Sequence, residues 1–283
     1  MKYKIIDNFI DKELCKELVS NAKKLENQIF NENIIHGGRN FISSTSDDFS
    51  KLKSFSESWK SFSKYLESHE FAEFTFSQLG LKISPYQFVN FYKSKDSPSF
   101  IRKKKKFNSK KINLLSSKRI LWFVFMRFLH RVYLNFKLIR FFFTNKNPLE
   151  LLYDFSIAQN GYSLPIHRDT DSRIVIFLIY LNDVSEESEG GNFNIFKLKS
   201  IKNFFPSNPN FSDCNLVKSI GPKSGRAIFL DGSMDSYHSV DKMINHKNKR
   251  YFIYGSFTSL INKNNMIDYN KTNKFDTEFN LYE

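Results

Sequence analysis

Apolar positions in the first ninety residues recur mostly at helical spacing. Leu14, Leu18, Ala22 and Leu25 follow one another at intervals of four, four and three behind Asp11, whose carboxylate suits a helix N-cap. A second stripe, Phe49, Leu52, Phe55, Trp59, Phe62 and Leu66, predicts one further helix, and Gly80 closes another short helical stretch. Weak alternation over residues 3–6 and the run at 86–92 predict strands.

From residue 152 the pattern shortens to apolar runs separated by turn residues. The runs 152–158, 173–182, 192–198, 226–231 and 250–259 are rich in Ile, Val, Phe and Tyr, as strands are. Asn160-Gly161, Gly190-Gly191, Gly221-Pro222 and Asp231-Gly232 punctuate them. The expected fold is therefore mainly β with flanking helices (α+β). Its C-terminal half should be a sandwich or jelly roll, with helices packed outside it. No internal repeat is present.

The chain has 283 residues, 41% of them hydrophobic, enough to bury a sizeable core as one domain or as one domain with an insertion. Cys15 and Cys214 are the two cysteines, which excludes a disulfide framework and a zinc knuckle and points to a reducing, cytoplasmic setting. The first eleven residues lack the apolar stretch of a secretory signal, so the mature protein is expected to start near Met1.

The net charge of +14 changes the picture once it is located. Residues 93–147 hold sixteen of the 43 Lys and Arg and one of the 29 acids, Asp96, so the remainder is close to neutral. Within this segment, Leu121, Phe125, Phe128, Val132, Phe136, Ile139 and Phe143 recur at intervals of three and four, an amphipathic helical stripe over 118–143. Arg127, Arg131, Lys137 and Arg140 interrupt it too often for a membrane span. Three readings stay open: a helix packed on the core, a helix lying on an anionic membrane surface (which would make the protein peripheral), and, last, a nucleic-acid patch.

The candidate chemistry starts at His167 and Asp169, an H-x-D. Such a pair arises by chance in roughly one chain of this composition in three, and a solvated polar loop would explain it equally well. What lifts it is the order of features that follow. Residues i and i+2 of a strand point to one face, so an imidazole and a carboxylate can meet on one ion. His238 can bring a third ligand from a distant strand, and two histidines with one carboxylate suit non-haem iron(II). Arg250, twelve residues further on, opens a strand and offers a planar cation for a carboxylate. Taken singly, His238 would be a loop residue and Arg250 half of a surface ion pair.

The ordered set resembles the iron(II)- and 2-oxoglutarate-dependent dioxygenases, in particular the prolyl 4-hydroxylase-like branch. The resemblance runs from Ile5-Ile6-Asp7-Asn8-Phe9-Ile10 through Gly161, the H-x-D, Arg173, Tyr180-Leu181-Asn182 and Gly190-Gly191. It continues through Gly225-Arg226-Ala227-Ile228-Phe229, His238 and Arg250. It implies one oxygenase domain over 1–283 with a double-stranded β-helix core at 150–260 and the basic segment 93–147 as an insertion. It further implies that His167, Asp169 and His238 hold Fe(II), and that Arg250 pairs with the distal carboxylate of 2-oxoglutarate. Dioxygen would be the oxidant, with ascorbate as a candidate reductant. The implied activity is hydroxylation of an unidentified substrate: peptidyl proline, an amino acid, a glycan or a lipid-linked molecule.

Departures from the family pattern are informative. Prolyl hydroxylases usually have Lys at the position of Arg250, and Tyr nine residues before the first His, where Ala158 stands. Tyr153, Tyr180 and Ser256 are candidates for the missing cosubstrate contacts. A carboxylate at 169 argues against a halogenase, and Ser256 stands where related nucleic-acid demethylases carry a second Arg. His36, His69, His130 and His246 lack partners at ligand spacing and are expected in solvent; His246 is the one rival third ligand. The rival class is a non-catalytic metal-binding jelly roll that presents its basic insertion to a membrane or polyanion.

Overall fold

The computed structural model describes residues 1–30, 38–84, 86–88, 147–169, 172–184, 189–200 and 205–259. The basic segment, including the stripe over 118–143, lies outside these residues except for Asn147. A short strand β1 (Tyr3–Ile6) leads into helix α1 (Lys12–Ile29). As its sequence predicts, Asp11 caps this helix, its carboxylate accepting from the backbone N–H groups of Glu13 and Leu14 at 2.8 and 3.3 Å. Strand β2 (Arg39–Ser43), which the apolar pattern does not announce, follows.

The second stripe folds as two helices, α2 (Asp47–Phe55) and α3 (Glu57–Leu66), where its spacing predicts one. Ser56 makes the break. Its extended backbone (φ −134°, ψ 119°) donates back to Leu52, while its hydroxyl accepts from the Trp59 N–H at 3.3 Å. One residue thus ends a helix and caps the next, and the turn leaves Phe55 half exposed while sending Trp59 inward. Helix α4 (His69–Gln78) ends just before Gly80, which takes φ +61°.

The remaining described elements are strands. They are β3 (Tyr86–Phe88), β4 (Asn147–Ala158), β5 (Leu164–Arg168), β6 (Arg173–Tyr180) and β7 (Phe193–Leu198). After them come β8 (Cys214–Ile220), β9 (Ala227–Asp231), β10 (Tyr237–Val240) and β11 (Arg250–Thr258). They form a large sheet ordered β1-β9-β6-β11-β4-β2, with β3 beside β4, and a smaller antiparallel sheet ordered β5-β10-β7-β8. From β4 onward successive strands alternate between the sheets, apart from the neighbouring pair β7 and β8, in the manner of a jelly roll. Strands β5, β8 and β10 were not read as separate strands from the apolar runs, because they are short, polar or, for β8, exposed along most of their length.

The large sheet is buried on both faces. Its outer face packs on the helices: Trp59 lies 4.7 Å from Phe155 and donates its indole N–H to the Leu18 carbonyl at 2.9 Å, and Phe71 meets Phe177 edge-on at 5.2 Å. Its inner face, with Ile176, Leu178, Tyr180 and Phe252, packs on Phe193, Ile195 and Val240 of the small sheet. Among the described residues no helix is long and apolar enough to cross a membrane.

Trp59 ties α1, α2 and β4 together at one buried point. Trp59→Ala is expected to destabilise the fold by about 3–5 kcal/mol, read as a shift in the urea unfolding midpoint. A shift worth less than about 1 kcal/mol would show that the helical layer does not rest on this residue.

Candidate metal centre

Strand β5 carries His167 and delivers Asp169 one residue beyond its end. Strand β10 pairs with β5 in antiparallel register that sets His238 directly opposite His167. Directly paired residues share a face, so the sheet itself brings the 71-residue-distant histidine to the H-x-D. The two imidazole centroids are 4.4 Å apart, and one ligand atom from each of His167, Asp169 and His238 lies within 4.8 Å of the others.

The surroundings prepare each donor. The Nδ1 of His167 lies 2.9 Å from the Pro165 carbonyl, which fixes the proton there and leaves Nε2 as the free lone pair. His238 is buried and stacks on Phe193 at 5.3 Å, with Nε2 turned to Asp169 Oδ2 at 3.6 Å. Its Nδ1 lies toward the Ser236 carbonyl without completing a hydrogen bond. Burial, helped by the neighbouring His167, lowers the pKa of His238 to about 3 against the pull of Asp169, so the ring is neutral in ordinary buffers. Burial alone would raise the Asp169 pKa. Arg173, the two imidazoles and the Tyr254 hydroxyl outweigh it and hold the carboxyl below its usual value. Arg173 Nη1 donates to Asp169 Oδ1 at 2.7 Å, and the Tyr254 hydroxyl donates to Oδ2 at 2.9 Å. One carboxylate and two imidazoles thus face a common point, a donor set that fits iron(II).

Arg250 opens β11, the strand that also carries Tyr254, and the two side chains lie on the same inner face about 13 Å apart along the strand. It is 2% exposed, its guanidinium carbon is 5.8 Å from the Tyr180 ring centroid, and its Nε and Nη2 have no hydrogen-bond partner. A buried cation with two idle donors on the inner face of the barrel fits an anionic ligand. Gly191, at φ +72°, makes room for it, since a Cβ there would stand 1.8 Å from Arg250 Nη2.

The other candidates fall out differently. Tyr180 borders Arg250, and Ser256 is buried on the same inner face of β11. Tyr153 points to the helices instead, donating to Glu67 at 2.8 Å and meeting Phe49 edge-on, because alternation along β4 puts it on the outer face. Arg226 is taken by Asp7 outside the barrel, at 2.6 Å. His69 is exposed as expected, and His36 and His130 lie outside the described residues. His246 departs from expectation: it is buried rather than solvated. Its Nε2 lies 3.1 Å from the Glu189 carbonyl and its backbone N–H donates to Asn160 at 2.8 Å. It braces the turn beside Arg250 and takes no place among the three donors.

With this geometry in view, residues 153–257 match the family model described as the 2OG-Fe(II) oxygenase superfamily. That stretch resembles a 2OG-Fe(II) oxygenase module. It contains all three donors and Arg250, and its family uses Fe(II), 2-oxoglutarate and dioxygen. No curated protein matches the chain. Among solved structures, a Pseudomonas putida prolyl-4-hydroxylase is 11% identical with a TM-score of 0.45, the alignment covering 91% of this chain and 92% of that one. A prolyl 4-hydroxylase from Phytophthora capsici is 14% identical with a TM-score of 0.49, covering 94% and 61%. The non-heme alpha ketoglutarate dependent epimerase SnoN from nogalamycin biosynthesis is 11% identical with a TM-score of 0.47, covering 91% and 76%.

Sequence reading missed Tyr254 as the residue that orients the Asp169 carboxylate. Its inward phase on β11, even-numbered with Arg250, was the available signal. Tyr254→Phe removes one hydrogen bond from Asp169 without changing shape, and is expected to weaken Mn(II) binding about tenfold, measured by calorimetric titration. His238→Ala is expected to abolish binding. Unchanged affinity in both variants would place the metal elsewhere.

Proposed function

We propose that this protein couples the oxidative decarboxylation of 2-oxoglutarate to the hydroxylation of an organic substrate. The observation that carries the reading is the pairing of three convergent donors with a buried, unpartnered Arg250 inside one barrel. Iron(II), when bound, supplies the oxygen chemistry: the cosubstrate leaves as succinate and carbon dioxide, and one oxygen atom goes to the substrate. His167, Asp169 and His238 would hold the metal on one side, leaving adjacent coordination positions for cosubstrate and oxygen. Tyr254 and Arg173 keep Asp169 ionised and aimed. Arg250 would orient the cosubstrate by its distal carboxylate, and Phe193 and Phe252 keep water from the inner face.

On the same reading the whole chain is one oxygenase domain with 93–147 as an insertion. Support comes from β3, whose residues 86–88 pair in parallel with 147–149 at the start of β4, so the segment leaves the sheet and returns to it at neighbouring points. The substrate class is taken to be one of those the sequence leaves open, from peptidyl proline to a lipid-linked molecule. A non-catalytic metal-binding role is not favoured, since it gives the idle guanidinium of Arg250 no task.

The test is succinate formation from 2-oxoglutarate, dependent on iron(II) and oxygen. Arg250→Gln is expected to raise the 2-oxoglutarate concentration needed for half-maximal turnover, by an amount equivalent to about 2–5 kcal/mol. No iron-dependent turnover by the intact protein, with or without candidate substrates, would contradict the assignment.

A further inference from the structure

Arg250 is not the only buried guanidinium on the inner face. Arg39 opens β2 and pairs directly with Ala158 of β4, and Ala158 pairs on its other side with Arg250. The three residues form one row across the sheet, so the two arginines stand about 10 Å apart at their Cα atoms with only a methyl group between them. Arg39 is 8% exposed. Its guanidinium carbon packs 5.5 Å from the ring centroids of both Phe252 and Tyr254, so the side chain reaches along the inner face toward the metal donors.

Its polar contacts compensate little of its charge. Nε and Nη2 both donate to the Ser156 hydroxyl, at 3.1 and 2.9 Å, and a neutral hydroxyl carries no countercharge. The carboxylate of Asp154 is 3.9 Å from Nη2, the outer limit of an ion pair. Tyr162 neighbours both arginines: its ring stacks on Phe252 at 6.4 Å, its buried hydroxyl is a hydrogen-bonding neighbour of Arg39, and the charges of both Arg39 and Arg250 act on it. Gly38 anchors the arrangement, since a Cβ there would meet the Tyr162 nitrogen at 2.8 Å. Two guanidinium groups and a phenol therefore line one stretch of the inner face, from β2, β11 and the turn after β4. Neither β2 nor Arg39 lies within the stretch that the family model matches.

We propose that Arg39 is a second carboxylate-binding residue of the barrel, which together with Arg250 and the Tyr162 hydroxyl grips the distal carboxylate of 2-oxoglutarate. This rests on the oxygenase reading above. A carboxylate there would satisfy the Arg250 donors that the protein alone leaves idle, give Arg39 the countercharge that its neutral hydroxyl partner lacks, and offset the burial of two like charges.

The test compares 2-oxoglutarate with 2-oxopentanoate, which ends in a methyl group where the cosubstrate has its carboxylate. Both are titrated by calorimetry into the Mn(II)-loaded full-length protein and its Arg39→Gln variant, without turnover. Arg39→Gln is expected to weaken 2-oxoglutarate binding by about tenfold or more, to leave 2-oxopentanoate binding unchanged, and so to erode the preference between them. Arg39→Lys, which keeps the charge but not the fork, should fall between the two and serves where the Gln variant folds poorly. Equal losses for both ligands would overturn the proposal and make Arg39 a packing residue. Unchanged 2-oxoglutarate affinity would overturn it and leave Arg39 for an acid group of the substrate. If the intact Mn(II) protein binds no 2-oxoglutarate, the oxygenase reading falls and takes this inference with it.

Discussion

Strand β11 must serve two interiors at once. Tyr251, Ile253 and Phe257 face the helical layer, while Arg250, Phe252 and Tyr254 face the cavity between the sheets. Because side chains alternate with a period of two, a slip of one residue would thrust Arg250 among the phenylalanines under the helices. Burying an unpaired charge there costs several kcal/mol, which fixes the register against β4 and β6. That register in turn sets Tyr254 beside Asp169 and Ala158 between two arginines.

Charge within the barrel is arranged in two zones. Near the small sheet, Asp169 is balanced by Arg173 and by hydrogen bonds, so its carboxylate stays ionised though largely buried. Farther along the inner face, Arg39 and Arg250 have neutral hydroxyls, rings and one loosely placed carboxylate as neighbours. The first zone suits a cation held by two imidazoles and one anion. The second suits the anionic end of a small dicarboxylate.

Much of this was legible in the sequence. The turn residues and apolar runs announced the jelly roll, and the order His167, Asp169, His238 pointed to three side chains that the strands bring together. What escaped had physical reasons. The break at Ser56 leaves the helical spacing of the stripe intact on either side, so periodicity cannot see it. Strand β2 offers only Phe41 and Ile42 as apolar signal, so Arg39 was not noticed as an inward-facing residue. His246 looked solvated because it sits in a Lys/Asn-rich loop, yet hydrogen bonds to Glu189 and Asn160 draw it under the surface. Spacing along a chain reports which face a residue takes, and only strand pairing reports what stands opposite.

The most direct measurement is a crystal structure of the protein grown without oxygen in the presence of iron(II) and 2-oxoglutarate, with the metal located by anomalous scattering. The account predicts a single metal peak bonded to His167, Asp169 and His238, and the cosubstrate reaching from it to the Arg250 guanidinium. A metal peak away from these three side chains, or a cosubstrate that leaves Arg250 unpaired, would contradict it.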